Sequence, residues 1–597
     1  MSISSLVQPY RKLIVLAAVA SAALGLPRQA SAEEIPAARR LPKSSLLFVH
    51  VPSAPLFSEK WTASLMGRMI LGSEMEPFRT DVTKKIEKYL SSQGDGAVDY
   101  TADLFRLLQG EIAVALMPGE DGQMAWVVLI DVKDQREALD RVLERIADGQ
   151  EKSGARRLVE EGPDDTEIIV FDPPAAKPTD KDDDDEVFSA AFAQKFHYFV
   201  RDTHWVIGTQ MAAISSVAER WSGTADDSLG ESDTYQAVMQ RLRGEREDAA
   251  PVLTWFVDPI AFVQATVGYL VANGNPTAAI VPGFITTLKL NQLKGVGGSY
   301  EFDVGNFDLL VTVVSHTDVQ TSGLTNFFRL SPASQTPPAW VPATVSGYSA
   351  IDWDVQSAFE AVRSSFETFN GRGQFEKLLE RIAKNDEAGN LQVKSEIIDV
   401  MSGAVRILQN GDDDGTNAQV VIAVGLRDGA RFRETMKRMM KLRDAAFTTR
   451  EFQGDTIYRL AGDNDELLSQ LPEWVLRDDQ LLVGIGRGLL EDVLRGGDQE
   501  PLAQSAEYQK LSAHIPGQTV TLIYTRMEDA YRQLLSQLRS PQVKMLMDRA
   551  SDSGTLPDMS LLPGFDSIRK YVSPSASYAI VEPNGYRYVS FSLKSAD

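Results

Sequence analysis

From Ser299 onward the chain alternates, with Tyr300, Phe302 and Val304 apolar and Glu301 and Asp303 polar. That two-residue period predicts strands of an antiparallel sheet with Tyr300, Phe302 and Val304 inward and one wet face. Elsewhere the period changes. Ala138, Leu139, Val142, Leu143 and Ile146 recur at i, i+3, i+4 spacing, the stripe of a helix covering a sheet. The short runs Phe196–Arg201 and His204–Gly208 flank Asp202-Thr203, a two-residue hairpin turn that sets His197 opposite Gly208 and Arg201 opposite His204. Together these patterns predict an α+β fold in which each antiparallel sheet carries helices on one face.

The same order of elements occurs twice. A strand at 46–51 and a helix with Trp61 and Leu65 are matched by a strand at 346–351 and a helix with Phe359, Val362 and Phe366. A hairpin at 111–132 feeding a helix at 135–147 is matched by a hairpin at 404–426 feeding a helix at 430–442. The hairpin about Asp202-Thr203 returns as Glu473–Arg477 and Gln480–Gly484 about Asp478-Asp479. Strand-plus-helix pairs follow at 252–257 and 520–524, then Pro282-Gly283-Phe284 and Pro563-Gly564-Phe565. Five blocks in one order predict two tandem copies, 45–320 and 343–597, joined by the Pro-rich linker 321–342. Residues 33–44 form an N-terminal linker.

Residues 1–32 read as an export signal. Arg11 and Lys12 precede the apolar run Leu13–Leu26, and Ala30-Ser31-Ala32 offers small residues at both positions a signal peptidase reads. Loss of Arg11, Lys12 and Arg28 with that signal takes the chain from −23 to −26. Such charge disfavours nucleic acid and anionic membranes as general partners. The best later membrane candidate, Val267–Leu290, is broken by Asn273, Gly274, Asn275, Pro276 and Pro282, so no transmembrane segment is expected after cleavage. With no cysteine there are no disulfides, and stability rests on burial. The expected location is the periplasm or the cell exterior.

The opening Leu41-Pro-Lys-Ser-Ser-Leu-Leu-Phe-Val-His-Val-Pro52, the later Pro472-Glu-Trp-Val-Leu-Arg477 and the following Asp478–Leu494 resemble an uncharacterised family of secreted bacterial proteins, a domain of unknown function. The resemblance extends over most of the mature chain. It implies an exported α+β protein and carries no catalytic residue across.

Chemical motifs are sparse. Gly484-Ile-Gly-Arg-Gly488 lies between strand and helix but follows a hairpin and lacks the G-x-G-x-x-G spacing, so a tight turn is expected rather than a nucleotide loop. Asn410, Asp412, Asp414 and Gly415 match the first half of a calcium loop, yet position 12 is Val421. The acidic runs Asp180–Glu186 and Asp463, Asp465, Glu466 read as solvated loops. His50, His197, His204, His316 and His514 show no metal-ligand spacing, and no cofactor or metal is expected. The chain also lacks G-x-S-x-G and any cysteine nucleophile.

One feature differs between the copies. The second-copy helix carries Arg431, Arg433, Lys437, Arg438, Lys441 and Arg443, with Met436, Met439 and Met440 on the intervening face. In an acidic chain this basic helix is either a solvated face above a Met-lined core or a docking patch for an acidic protein or anionic envelope polymer. The leading expectation is an exported, non-catalytic protein that binds a partner or ligand. The alternatives are a hydrolase of cell-wall or extracellular polymer using unmarked carboxylates, and a structural or assembly factor.

Overall fold

The computed structural model describes residues 35–92, 103–104, 106–152, 154–173, 195–244, 250–318, 321–411, 418–442, 447–460, 471–477, 479–486, 488–496, 499–540, 543, 545 and 557–595, the side chains of 86–92, 121 and 418 excepted. Among the described residues no helix is long and apolar enough to cross a membrane. The expected signal peptide, Asp180–Glu186, Asp412–Gly415, Asp463–Glu466 and Arg443 lie outside them. The chain divides into two compact units, the first made of Met1–Val281, Lys294–Gly305 and Pro541–Pro563, the second of the remainder.

Unit 1 contains strands β1 (Leu47–Val51), β2 (Ile112–Pro118), β3 (Met124–Asp131), β4 (Arg156–Glu161), β5 (Glu167–Asp172), β6 (Phe196–Arg201), β7 (His204–Gly208), β8 (Leu253–Val257) and β9 (Leu293–Val304). They pair antiparallel throughout in the order β9-β8-β1-β2-β3-β7-β6-β5-β4. The β6–β7 register is the expected one, His197 against Gly208 and Arg201 against His204, with Asp202 left-handed in the turn.

The helices do not keep to one face. Leu139, Val142 and Ile146 of helix Arg136–Lys152 form a core with Phe171, Tyr198 and Trp205. Residues adjacent in a strand point to opposite faces, so the neighbouring His204 and Val206 look the other way. There Ile214 of helix Met211–Glu219 reaches Gly208, and Val238 of helix Asp233–Arg243 reaches Gly297. This corrects the expectation of helices on one face. The strands Phe196–Val200 and Ala125–Ile130 are near-continuous apolar runs, as strands buried on both sides must be.

The alternation in β9 is corrected for the same reason. Glu301 is only 6% exposed and Tyr300 is 36% exposed. Glu301 shares the face of Gly297 and Ser299, which helix Asp233–Arg243 covers. Phe302 is half-buried and stacks edge-on against Phe57.

Unit 2 contains β10 (Phe307–Thr317), β11 (Gly347–Asp352), β12 (Met401–Gly411), β13 (Ala418–Leu426), β14 (Phe447–Phe452), β15 (Asp455–Leu460), β16 (Glu473–Leu476), β17 (Gln480–Ile485), β18 (Thr521–Thr525), β19 (Ser575–Glu582) and β20 (Gly585–Leu593). Their antiparallel order is β10-β20-β19-β18-β11-β12-β13-β17-β16-β15-β14. The hairpins β4–β5 and β14–β15 had no counterpart in the sequence reading. Their signals were short, Gly162-Pro163 between Leu158-Val159 and Ile168–Val170, and Gly454 between Phe452 and Ile457.

The segments expected as linkers are both held against their units. Ala37–Arg40 form a short helix, Pro42 bridges Ser228, and Leu229 N–H donates to Leu41 O at 2.8 Å. Likewise Pro342 bridges Pro501, and Leu502 N–H donates to Val341 O at 2.8 Å.

Candidate functional site

The basic helix forms as Gly429–Lys441, capped by Asp428, whose carboxylate accepts from Arg431 N–H at 3.0 Å. Its inner face is fixed by Phe432 and Thr435, 4% and 1% exposed. Phe432 packs with Val400 and Leu426, and Met436, Ile397, Leu476 and Leu481 close around them. The Met-lined inner side is thus seen directly at Met436.

The five described basic residues then part company. Arg438 turns inward, its Nη2 donating to Glu396 Oε2 at 2.5 Å and its Nε to Gly389 O at 3.0 Å. Burial pushes the Glu396 carboxyl up, but Arg438, the Gln392 N–H and the more distant Arg431 together hold it below the usual carboxylate range. Arg433 is half-buried. Arg431, Lys437 and Lys441 are exposed, and among the described residues no carboxylate lies within ion-pair distance of them. With Arg438 they occupy one stripe at i, i+6, i+7 and i+10, broken by the exposed Glu434. Chemically the stripe can hold anionic groups chiefly through Lys437 and Lys441, because Arg438 is paired with Glu396 and Arg431 also acts on the Glu396 and Asp399 carboxylates.

A second cluster was missed by sequence reading. On the face of unit 1 covered by helices Met211–Glu219 and Asp233–Arg243, β1, β3, β7 and the residue before β2 bring together His50, Asp131, His204 and Glu111. Register places Asp131 opposite His204, and Asp131 N–H donates to Glu111 O at 2.9 Å. His50 Nε2 and Glu111 Oε1 are 2.6 Å apart, and Ala37 N–H donates to the same oxygen at 3.1 Å. Asp131 is fully buried and pairs with Lys133 Nζ at 2.5 Å. Burial raises both carboxyls, yet His50 at Glu111 and Lys133 with Thr203 at Asp131 outweigh it, so both stay ionised at neutral pH. These residues lie far apart in sequence, and only strand register brings them together.

The remaining motifs resolve locally. In the glycine-rich turn Gly486 and Gly488 have φ of +82° and +108°, the conformation expected of a tight turn. Glu491 caps the following helix at Gly488 N–H and pairs with Arg450, so the helix's own carboxylate occupies the place an anion would take. Asn410 Oδ1 accepts from Ser346 Oγ at 2.9 Å and Gly411 N–H at 3.2 Å. His514 packs edge-on against Phe307 and Phe591. Among the described residues no group of three His, Asp or Glu is placed to hold a metal ion.

No family model matches the chain, and no curated protein matches it. A solved structure, crystal form I of TP0453, is similar over 44% of this chain and 81% of its own, at 12% identity and a TM-score of 0.21.

Proposed function

We propose that this is an exported, non-catalytic protein of the periplasm or cell exterior, built from two copies of one α+β unit, which docks an acidic protein or anionic envelope polymer through helix Gly429–Lys441. The observation that carries the docking reading is the exposed stripe of Arg431, Lys437 and Lys441 in a chain of net charge −23. Its inner face is anchored by Phe432, so the cations stand on a fixed surface.

Duplication is supported by the strand orders. Unit 1 runs β9-β8-β1-β2-β3-β7-β6-β5-β4, and unit 2 contains β19-β18-β11-β12-β13-β17-β16-β15-β14 in the corresponding sequence. The Pro42–Ser228 and Pro342–Pro501 bridges add a further matched pair. By the same matching, His50, Asp131 and His204 correspond to Ala350, Gly425 and Gln480. The buried polar row and the basic helix are then where the copies diverge.

The test is binding of polyglutamate to the folded protein at low salt, with charge reversal at Arg431, Lys437 and Lys441. Arg438 is left intact because it pairs with Glu396. Affinity should fall about tenfold or more, and unchanged binding would remove the docking reading.

An assembly role is favoured by a different observation. Pro259–Leu288 contains no charged residue, and within it Val263, Tyr269, Val271 and Ile280 are 38%, 39%, 41% and 60% exposed. If serine at Val263, Val271 and Ile280 left envelope retention of the protein unchanged, that reading would fail.

A further inference from the structure

The edge strand β4 carries a charge pattern that is complementary to itself. It reads Arg156-Arg157-Leu158-Val159-Glu160-Glu161, and all six residues are exposed. Among the described residues β4 has one neighbour, β5, paired without a register break from Arg156–Asp172 to Glu161–Glu167. Among the described residues its outer row of backbone donors and acceptors is therefore unpaired. Sheets usually blunt such an edge with a proline, a bulge or charges that repel an incoming strand. Here there is no proline or bulge, and the strand's charges sum to zero although the chain is at −23. Leu158 and Val159 stand 38% and 59% exposed at its centre.

We propose that β4 is a self-association edge, pairing antiparallel with β4 of a second copy of this chain about a two-fold axis. An isologous contact of this kind pairs each residue i with a residue j of the partner and j with i. Opposed residues in antiparallel strands share a face, so the axis must pass through a residue position. Centring on Leu158 sets Arg156 opposite Glu160 twice, with Leu158 against itself. Centring on Val159 sets Arg157 opposite Glu161 twice, with Val159 against itself. Moving one residue further either way places Arg157 opposite Arg157 or Glu160 opposite Glu160, and like charges directly opposite are destabilising. The pattern therefore admits two adjacent registers and rejects those beside them. The existing contact of Arg156 with Asp172, at 2.6 Å, leaves the Arg156 side chain 74% exposed and within reach of a partner. A six-residue edge buries little area, which places the contact among weak, reversible associations.

Sedimentation velocity of the folded protein over a range of concentrations tests this. The wild type should show a concentration-dependent monomer–dimer equilibrium. The R156E/R157E variant should weaken it by about tenfold or more. The full exchange R156E/R157E/E160R/E161R restores self-complementarity and should dimerise again, yet it should not pair with the wild type. Because the chain has no cysteine, Leu158→Cys and Val159→Cys each introduce a single thiol, and oxidation should link copies through whichever residue lies on the axis. A wild type that stays monomeric would overturn the proposal. So would a dimer indifferent to R156E/R157E, or a full exchange that folds by circular dichroism and remains monomeric.

Discussion

His50 Nε2 of β1 and Glu111 Oε1, just before β2, stand 2.6 Å apart, and the Ala37 N–H donates to that same carboxylate oxygen. The pair ties β1, the approach to β2 and the first described helix into one buried contact. Glu111→Gln should therefore lower stability by about 2 kcal/mol at neutral pH. The folded-state pKa of Glu111 is lowered, so its contribution is present above the unfolded carboxyl pKa and lost as pH falls through the lower folded one. Denaturant titrations should show the difference between wild type and variant shrinking below about pH 4. A difference that grew on acidification would reverse the assignment.

His197 gives a signal nearer neutrality. It is 4% exposed, and burial depresses its pKa below the ordinary imidazole value despite a backbone contact with Gly208. A depressed folded pKa means that its contribution is present above about pH 6.5 and lost as pH falls. The His197 ring resonances should titrate below that value by NMR, and His197→Gln should flatten the stability loss on going from pH 7 towards 5. A ring titrating at or above the free value would contradict this.

Phe432 anchors the basic helix, and Lys437 on its outer face does not. Phe432→Ala should cost about 3 kcal/mol or more through the cavity it leaves. Lys437→Ala should change stability by less than about 0.5 kcal/mol. Equal effects in urea unfolding would mean that the helix is not seated as described.

Gly403 sits where the β12–β13 register shifts, with φ of +94°, and an added Cβ would lie 2.1 Å from Trp353 O. Gly403→Ala should destabilise by about 2 kcal/mol or more, from both the left-handed backbone and the clash. A melting temperature unmoved by the substitution would be inconsistent with that bulge.

The export reading predicts that the mature chain begins at Glu33. N-terminal sequencing of protein recovered from its native envelope should read Glu-Glu-Ile-Pro. Arginine at Ala30 and Ala32 should leave the precursor uncleaved.

The sequence by itself determined the α+β class, the His197–Gly208 hairpin register and a helix expected at 430–442 and found at Gly429–Lys441, because each rests on local period and turn chemistry. It did not distinguish a strand wet on one side from one buried on both, since Tyr300 and Glu301 alternate identically in either case; the helix covering Gly297 decided which was inside. It marked six cations on one helix, and tertiary contact with Glu396, contributed by a different segment, separated Arg438 from the exposed Arg431, Lys437 and Lys441. The row of His50, Glu111, Asp131 and His204 was illegible for a related reason. Its members come from three strands and the residue that leads into β2, and their proximity follows from strand order and register rather than from any spacing along the chain.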